Sequence, residues 1–299
     1  MQSPKRLLEH FGIEDADLIG AGKESSAYRL KDNRVLKVYG NDASEERVDA
    51  EAAFYSVLAA ADLPFEVPQV LESGRLEDTL YTIEKFLPGK TFEQLLTDDE
   101  LLLETAVHEL IKAPAHLGRI DLETGDYGHL FPEYAPVPFQ AHDWRGFLAG
   151  VVKGTVERFS DRFGSVFANT ADLTASFTEK LSDLQQAEKS FVHGDFWYPN
   201  VLFAQDGSIS AVLDLNMELT LRGDWLVDAV SAAVFLRSGA EDLQFDLTRL
   251  SSRAFSAAYP DKARQFEVYS LYYAFIFFPY REEDGYLHEW CREQLQALV

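Results

Sequence analysis

Apolar and polar positions alternate with a period of two in "SSAYRL" (25–30) and "RVLKVY" (34–39), and Asp32-Asn33 between them is a turn signal. With "DLIGAG" ahead of them, the segment 17–40 reads as three successive strands. "ASEERVDAEAAFYSVLAAADLP" then reads as a helix. Ser44 is placed to cap it, Glu45 and Glu46 suit its positive first turn, and Pro64 lies beyond its end. "VPQVLESGRL" and "TLYTIEKFL" supply two more strands before "PGKT" breaks the pattern, with Thr91 placed to cap the next helix. Beyond about residue 90 the texture changes. Helical patterns fill Phe92 to Ala115, Trp144 to Arg162, Asp172 to Gln186, and most of the chain after Asp224. Gly125 to Ala141, rich in Pro and aromatics, reads as loop, and "QDGS" near residue 206 signals a hairpin. The expectation is an α+β protein with a β-rich N-terminal lobe over residues 1–88 and a mainly helical lobe over 89–299.

The longest apolar-rich run, Val268 to Tyr280, is shorter than the roughly 18 residues a bilayer span needs, so it reads as a buried core helix. The first residues carry no apolar stretch of the signal-peptide kind, and Cys291 is the one cysteine, so no internal disulfide can form. A cytoplasmic protein is expected. The 299 residues carry 50 acidic and 27 basic side chains, a net charge of -23. Such a chain repels nucleic acid, and it could either attract a cationic small molecule or simply stay well solvated.

The chemistry gathers in "SFVHGDFWYPNVLF" (190–203). Asp195 and Asn200 stand five residues apart in a Pro-bearing loop, and the hairpin "NVLFAQDGSISAVLDLN" returns the chain so that Asp214 is expected beside Asn200. Singly these residues are ordinary turn chemistry. Together they divide as phosphoryl transfer requires: Asn200 and Asp214 offer oxygens to Mg²⁺, while Asp195 is free to accept a hydrogen bond from a hydroxyl nucleophile and orient it.

A nucleotide site is then expected in the N-terminal lobe. "IGAGKESSAYRL" offers Gly20, Gly22 and Ser25 as phosphate contacts. It is not a Walker A loop, because Asp17 and Glu24 stand where Gly and Ser/Thr are required. Nor is it a Rossmann turn, because Ser25 takes the place of the third glycine and a strand follows. Lys37 shares a strand face with Val35 and Tyr39, and Glu51 is the acid expected to hold it. Backbone groups from Glu84 to Phe86 are expected to meet an adenine edge.

These features, in this order, resemble the aminoglycoside phosphotransferase and choline kinase superfamily, small-molecule relatives of the protein kinases. "HGDFWYPN" resembles its His-Gly-Asp-x-x-x-x-Asn loop, "VLDLN" stands where its metal-binding Asp lies, and "RGDWLVDAV" resembles its Gly-Asp-x-x-x-Asp segment. The resemblance implies a two-lobed protein-kinase-like fold and an ATP- and Mg²⁺-dependent kinase, GTP being the alternative donor. It implies Asp195 as base or orienter, Asn200 and Asp214 on the metal, and Lys37 on the α/β-phosphates. His193 would support the loop, and Asp224 and Asp228 would hold the loop region and cap a helix. Where the family has an aromatic after its metal Asp, this chain has Leu215.

The acceptor stays open between an aminoglycoside, choline or ethanolamine, homoserine and an amino sugar. Glu282, Glu283, Asp284 and Glu289 would suit a polyamine, and Trp197, Tyr198, Trp225 and Trp290 could cage a quaternary ammonium. A nucleotide-binding module without catalysis is the competing class. A protein kinase is disfavoured, because no Asp-Phe-Gly or Ala-Pro-Glu segment is present.

Overall fold

The structure is a computed structural model that describes residues 5–14, 17–22, 25–40, 43–95, 100–120, 122, 125–237, 246–280 and 285–299. The chain divides into two compact units. The smaller joins Met1–Gly89 to Ser210–Asp214, and the larger joins Lys90–Ile209 to Leu215–Val299. The α+β class expected from the pattern holds, with a β-rich N-terminal part and a mainly helical remainder.

In the smaller unit, helix α1 (Lys5–Phe11) precedes β1 (Leu18–Ala21), β2 (Ser25–Arg29) and β3 (Arg34–Tyr39). Helix α2 (Glu45–Ala59), β4 (Val70–Leu76) and β5 (Thr79–Lys85) follow. The strands form one antiparallel sheet in the order β1-β2-β3-β5-β4. The β2–β3 turn holds Asn33 at φ +66°, a left-handed position that Asn tolerates and most side chains avoid. One sheet face buries Leu36, Val38 and Ile83, and Leu7 of α1 with Leu8 and Phe11 closes over it. Pleating sends Val35, Lys37, Tyr39, Thr82 and Glu84 to the other face. Ser44 caps α2 through Arg47 N–H (3.2 Å), as expected, and Glu45 and Glu46 occupy its first turn.

The larger unit runs α3 (Phe92–Leu95), α4 (Glu100–Lys112), α5 (Pro114–Leu117), β6 (Tyr127–His129), β7 (Gln140–Ala141), α6 (Trp144–Arg158), α7 (Ser160–Gly164), α8 (Thr170–Leu181), β8 (Ser190–Val192) and β9 (Val201–Phe203). The chain passes into the smaller unit within β10 (Ile209–Val212), which pairs with β9. It returns for β11 (Leu221–Gly223), α9 (Leu226–Val234), α10 (Leu247–Ala258), α11 (Ala263–Phe277) and α12 (Gly285–Gln296).

Two expectations are corrected here. The Pro-rich stretch 125–141 holds β6 and β7, which join β11 and β8 in a four-stranded sheet of order β7-β6-β11-β8. The pattern Phe92 to Ala115 is not continuous: Pro114, which suits the first turn of a helix, opens the separate α5. The apolar run does form the core helix α11, whose residues Val268–Phe275 are all buried. A helix wrapped on every side needs no polar stripe. Around it Trp144, Phe147, Phe163, Phe177 and Phe278 are fully buried. Among the described residues, no helix is long and apolar enough to cross a membrane.

Candidate functional site

The smaller unit contributes a charged cluster on the polar face of its sheet. Strand register sets Lys37 opposite Thr82, and Val35 opposite Glu84. Helix α2 turns Glu51 toward the same face, and Lys37 Nζ lies 3.1 Å from Glu51 Oε1. Their side chains are only 14% and 9% exposed, so each charge depends on the other. Burial opposes the Lys37 charge, but the Glu51 carboxylate and its acidic neighbours outweigh it and hold the ammonium well above its ordinary pKa. Burial pushes Glu51 up, while Lys37 pulls it back. Asp214, delivered by β10, sits 3.7 Å from Lys37 with its side chain 63% exposed. It adopts φ +56°, a strained turn that an Asp can accept. Lys37, Glu51 and Asp214 are thus brought together.

The larger unit supplies the loop. Strand β8 leads into His193-Gly194-Asp195, and a 3₁₀ turn, Tyr198–Asn200, leads out into β9. The loop is held at both ends. At its entry, Asp228 in the first turn of α9 accepts from His193 N–H through Oδ2 (2.7 Å) and from Gly194 N–H through Oδ1 (2.9 Å). Asp228 is fully buried, and that burial pushes its pKa up to about 7 against the two N–H bonds that lower it. At its exit, Asn200 Nδ2 donates to the Asp195 carbonyl (2.9 Å) and to Asp195 Oδ2 (3.1 Å), which fixes the carboxylate. Gly194 has φ +81°, and a Cβ there would collide with the Leu219 carbonyl, so only glycine fits between His193 and Asp195. Asp224 accepts from Leu226 N–H (3.1 Å) and from the Tyr269 hydroxyl (2.5 Å), which in turn accepts from Trp144 Nε1 (2.9 Å). Both acids of the "GDWLVD" segment therefore hold backbone, as the resemblance implied.

Other expected residues meet ordinary surroundings. Gly20 lies in β1 opposite Ala27, and Gly22 N–H donates to Ser25 O (2.8 Å). Neither has a positive φ, and both have room for a Cβ, so the fold itself does not demand glycine there. Lys23 and Glu24 lie outside the described residues. Ser25 pairs with Tyr39. The backbone expected to face a base is partly spent: Lys85 N–H donates to Gln69 O (3.0 Å) and Phe86 N–H to Asn33 O (3.3 Å). The Phe86 ring lies under the Arg29 guanidinium, 3.0 Å from its centroid.

The four aromatics suggested as an ammonium cage have separate partners. Trp225 packs against Tyr259 and Trp290 against Phe235, while Trp197 meets Tyr198 edge-on. Of the C-terminal acids, Glu282, Glu283 and Asp284 lie outside the described residues, and Glu289 is paired with Arg292. Thr82, which had no sequence signal, lies on the same sheet face opposite Lys37, and its hydroxyl donates to Glu84 Oε1 (2.8 Å).

Among the described residues, no three His, Cys, Asp or Glu side chains gather to hold a metal. Asn200 and Asp214 are donors of a different kind. Asn200 commits its amide nitrogen to Asp195, which leaves Oδ1 as the oxygen it could offer a metal, and Asp214 exposes its carboxylate. Each is of the donor type that suits Mg²⁺, which takes few protein ligands and fills its shell with phosphate oxygens and water.

A sheet bearing a lysine–glutamate pair and a helical unit bearing an anchored Asp/Asn loop define the kinase-like class of phosphotransferases. The chain belongs to the phosphotransferase enzyme family APH, whose pattern matches residues 15–266. An ADP-bound aminoglycoside phosphotransferase, APH(2'')-Ib, shares the fold at 18% identity and TM-score 0.62, covering 98% of this chain and 96% of that one. The streptomycin–ATP ternary complex of APH(2'')-IIa does so at 16% identity and TM-score 0.61, with 98% and 94% covered. Macrolide 2'-phosphotransferase MphH from Brachybacterium faecium matches at 16% identity and TM-score 0.54, with 97% and 96% covered. At these identities the likeness is one of fold. No curated protein sequence matches the chain.

Proposed function

We propose that this phosphotransferase moves the γ-phosphate of a purine nucleoside triphosphate to a hydroxyl of a cationic small molecule such as an aminoglycoside. The observation that carries the reading is the anchored loop, in which Asp228 grips two backbone N–H groups at the entry and Asn200 fixes the Asp195 carboxylate at the exit. Asp195 orients the acceptor hydroxyl and takes its proton as the new O–P bond forms. The bond from the γ-phosphorus to the bridging oxygen breaks, and the nucleoside diphosphate leaves with that electron pair. Lys37, kept charged by Glu51, binds the phosphates, and the turn bearing Gly20, Gly22 and Ser25 lies against them. Asn200 and Asp214 are the residues that would hold Mg²⁺, which supplies charge neutralisation on the phosphate oxygens when bound.

Support for the donor comes from similar folds solved with ADP and ATP, and support for the acceptor from one solved with gentamicin and one with streptomycin. The net charge of -23 favours a cationic acceptor. We place the activity in the cytoplasm, where a single cysteine needs no partner.

The test is transfer of labelled γ-phosphate to a panel of aminoglycosides, choline, amino alcohols and sugars. We expect at least one aminoglycoside to be phosphorylated. Asp195→Ala should lower turnover about 100-fold or more while leaving nucleotide binding intact. Unchanged turnover in that variant would refute the role of Asp195. Nucleotide binding with no acceptor phosphorylated would favour a non-catalytic module.

A further inference from the structure

The polar face of the small sheet carries one acid beyond the lysine–glutamate pair. Register places Glu84 opposite Val35 and two residues beyond Thr82, hence on the face of Lys37 and next along the strand. It is half-buried there and close enough to raise the pKa of both Lys37 and Glu51. Its carboxylate is fixed, because the fully buried Thr82 donates its hydroxyl proton to Oε1 at 2.8 Å. A carboxylate has about four acceptor sites, of which Thr82 takes one.

The neighbouring backbone donates little, because the N–H groups of Lys85 and Phe86 are spent on Gln69 and Asn33. The fixed Glu84 carboxylate is then the acceptor that this stretch sets beside Lys37. Such a carboxylate selects a ligand edge made of adjacent donors. Adenine alternates along its edge: N1 accepts, the 6-amino group donates, N7 accepts. Guanine presents N1–H and the 2-amino group side by side, two adjacent donors that match a carboxylate in bidentate fashion.

We propose that Glu84 is a specificity-determining residue that selects a guanine base, making the phosphate donor a guanosine rather than an adenosine triphosphate. The inference rests on the nucleotide-dependent reading of the site. It differs from the expectation that backbone groups of Glu84 to Phe86 read an adenine, and it assigns the discrimination to a side chain.

The test is calorimetric titration of the protein, in Mg²⁺, with the non-hydrolysable analogues GMPPNP and AMPPNP. Wild type should bind GMPPNP about ten- to a hundredfold more tightly, the scale of one bidentate base contact. Glu84→Gln keeps the shape but turns an amide N–H₂ toward the base. It should weaken GMPPNP by a similar factor and leave AMPPNP unchanged or tighter. Thr82→Val, which frees the carboxylate to rotate, should shift the ratio the same way by a smaller factor. Circular dichroism on each variant checks that the sheet is retained. Equal or tighter AMPPNP binding in wild type, or a ratio unchanged by Glu84→Gln, would overturn the guanine inference and leave the kinase reading standing. Binding of neither analogue would overturn the nucleotide reading itself.

Discussion

The buried Lys37–Glu51 pair should behave as one energetic unit, and a double-mutant cycle measures it. At 3.1 Å and an effective dielectric near 20, the gross attraction is about 5 kcal/mol. Desolvation of two largely buried charges takes back a large part of that, so a coupling of about 2–4 kcal/mol is expected. Lys37→Met strands Glu51 at 9% exposure and should cost about 3–5 kcal/mol. Glu51→Gln should cost less, because Asp214 at 3.7 Å still attends the ammonium. The double variant should lose clearly less than the sum. Tryptophans 144, 197, 225 and 290 all lie in the larger unit, so their fluorescence is a control. The readout is hydrogen exchange of α2 and β3 amides against urea.

pH gives a second check on the same pair. Without Lys37, the Glu51 folded pKa rises further above its ordinary 4.5. A raised carboxylate pKa means the folded state holds the extra proton. Stability is then highest below the unfolded pKa and falls as pH climbs toward the folded one. Lys37→Met should therefore recover part of its deficit as pH falls toward the ordinary carboxylate pKa. Costs that simply add, within about 0.5 kcal/mol, would refute the pairing.

Asp228 should make the larger unit lose stability between pH 5 and pH 7. Its folded pKa, near 7, lies above the ordinary 3.8, which amounts to about 2 kcal/mol across that window relative to Asp228→Asn. Parallel pH–stability curves for the two proteins would count against that. Gly194→Ala should abolish turnover and lower the melting temperature, because its φ of +81° and the Leu219 carbonyl exclude a Cβ. Gly20→Ala, at an open position, should leave the melting temperature within a few degrees of wild type.

The strands β1 to β5 and helix α2 were legible because their signals are local: period-two alternation, the Asp32-Asn33 turn and a serine cap. Strands β6, β7 and β11 were not, since three residues or fewer carry no readable period and their pairing is set by partners far along the chain. Asp195, Asn200 and Asp214 stood out through spacing, and Lys37 with Glu51 through strand register. Thr82 gave no signal, because a threonine in a strand looks like any β-former until its hydroxyl is seen on Glu84. The spent N–H groups of Lys85 and Phe86 were equally hidden, being set by Gln69 and Asn33 from two other segments.

The smaller unit is not continuous in sequence. Glu66 N–H donates to Ser210 O and Val212 N–H to Glu66 O, both at 2.9 Å, so a segment encoded after residue 209 belongs with the first 89. Ribosomal synthesis runs from the N-terminus, and the sheet therefore emerges well before its last piece. Until residue 214 has left the exit tunnel, Lys37 has Glu51 but not Asp214. A transcript truncated before that point yields the five strands without the acid that attends Lys37.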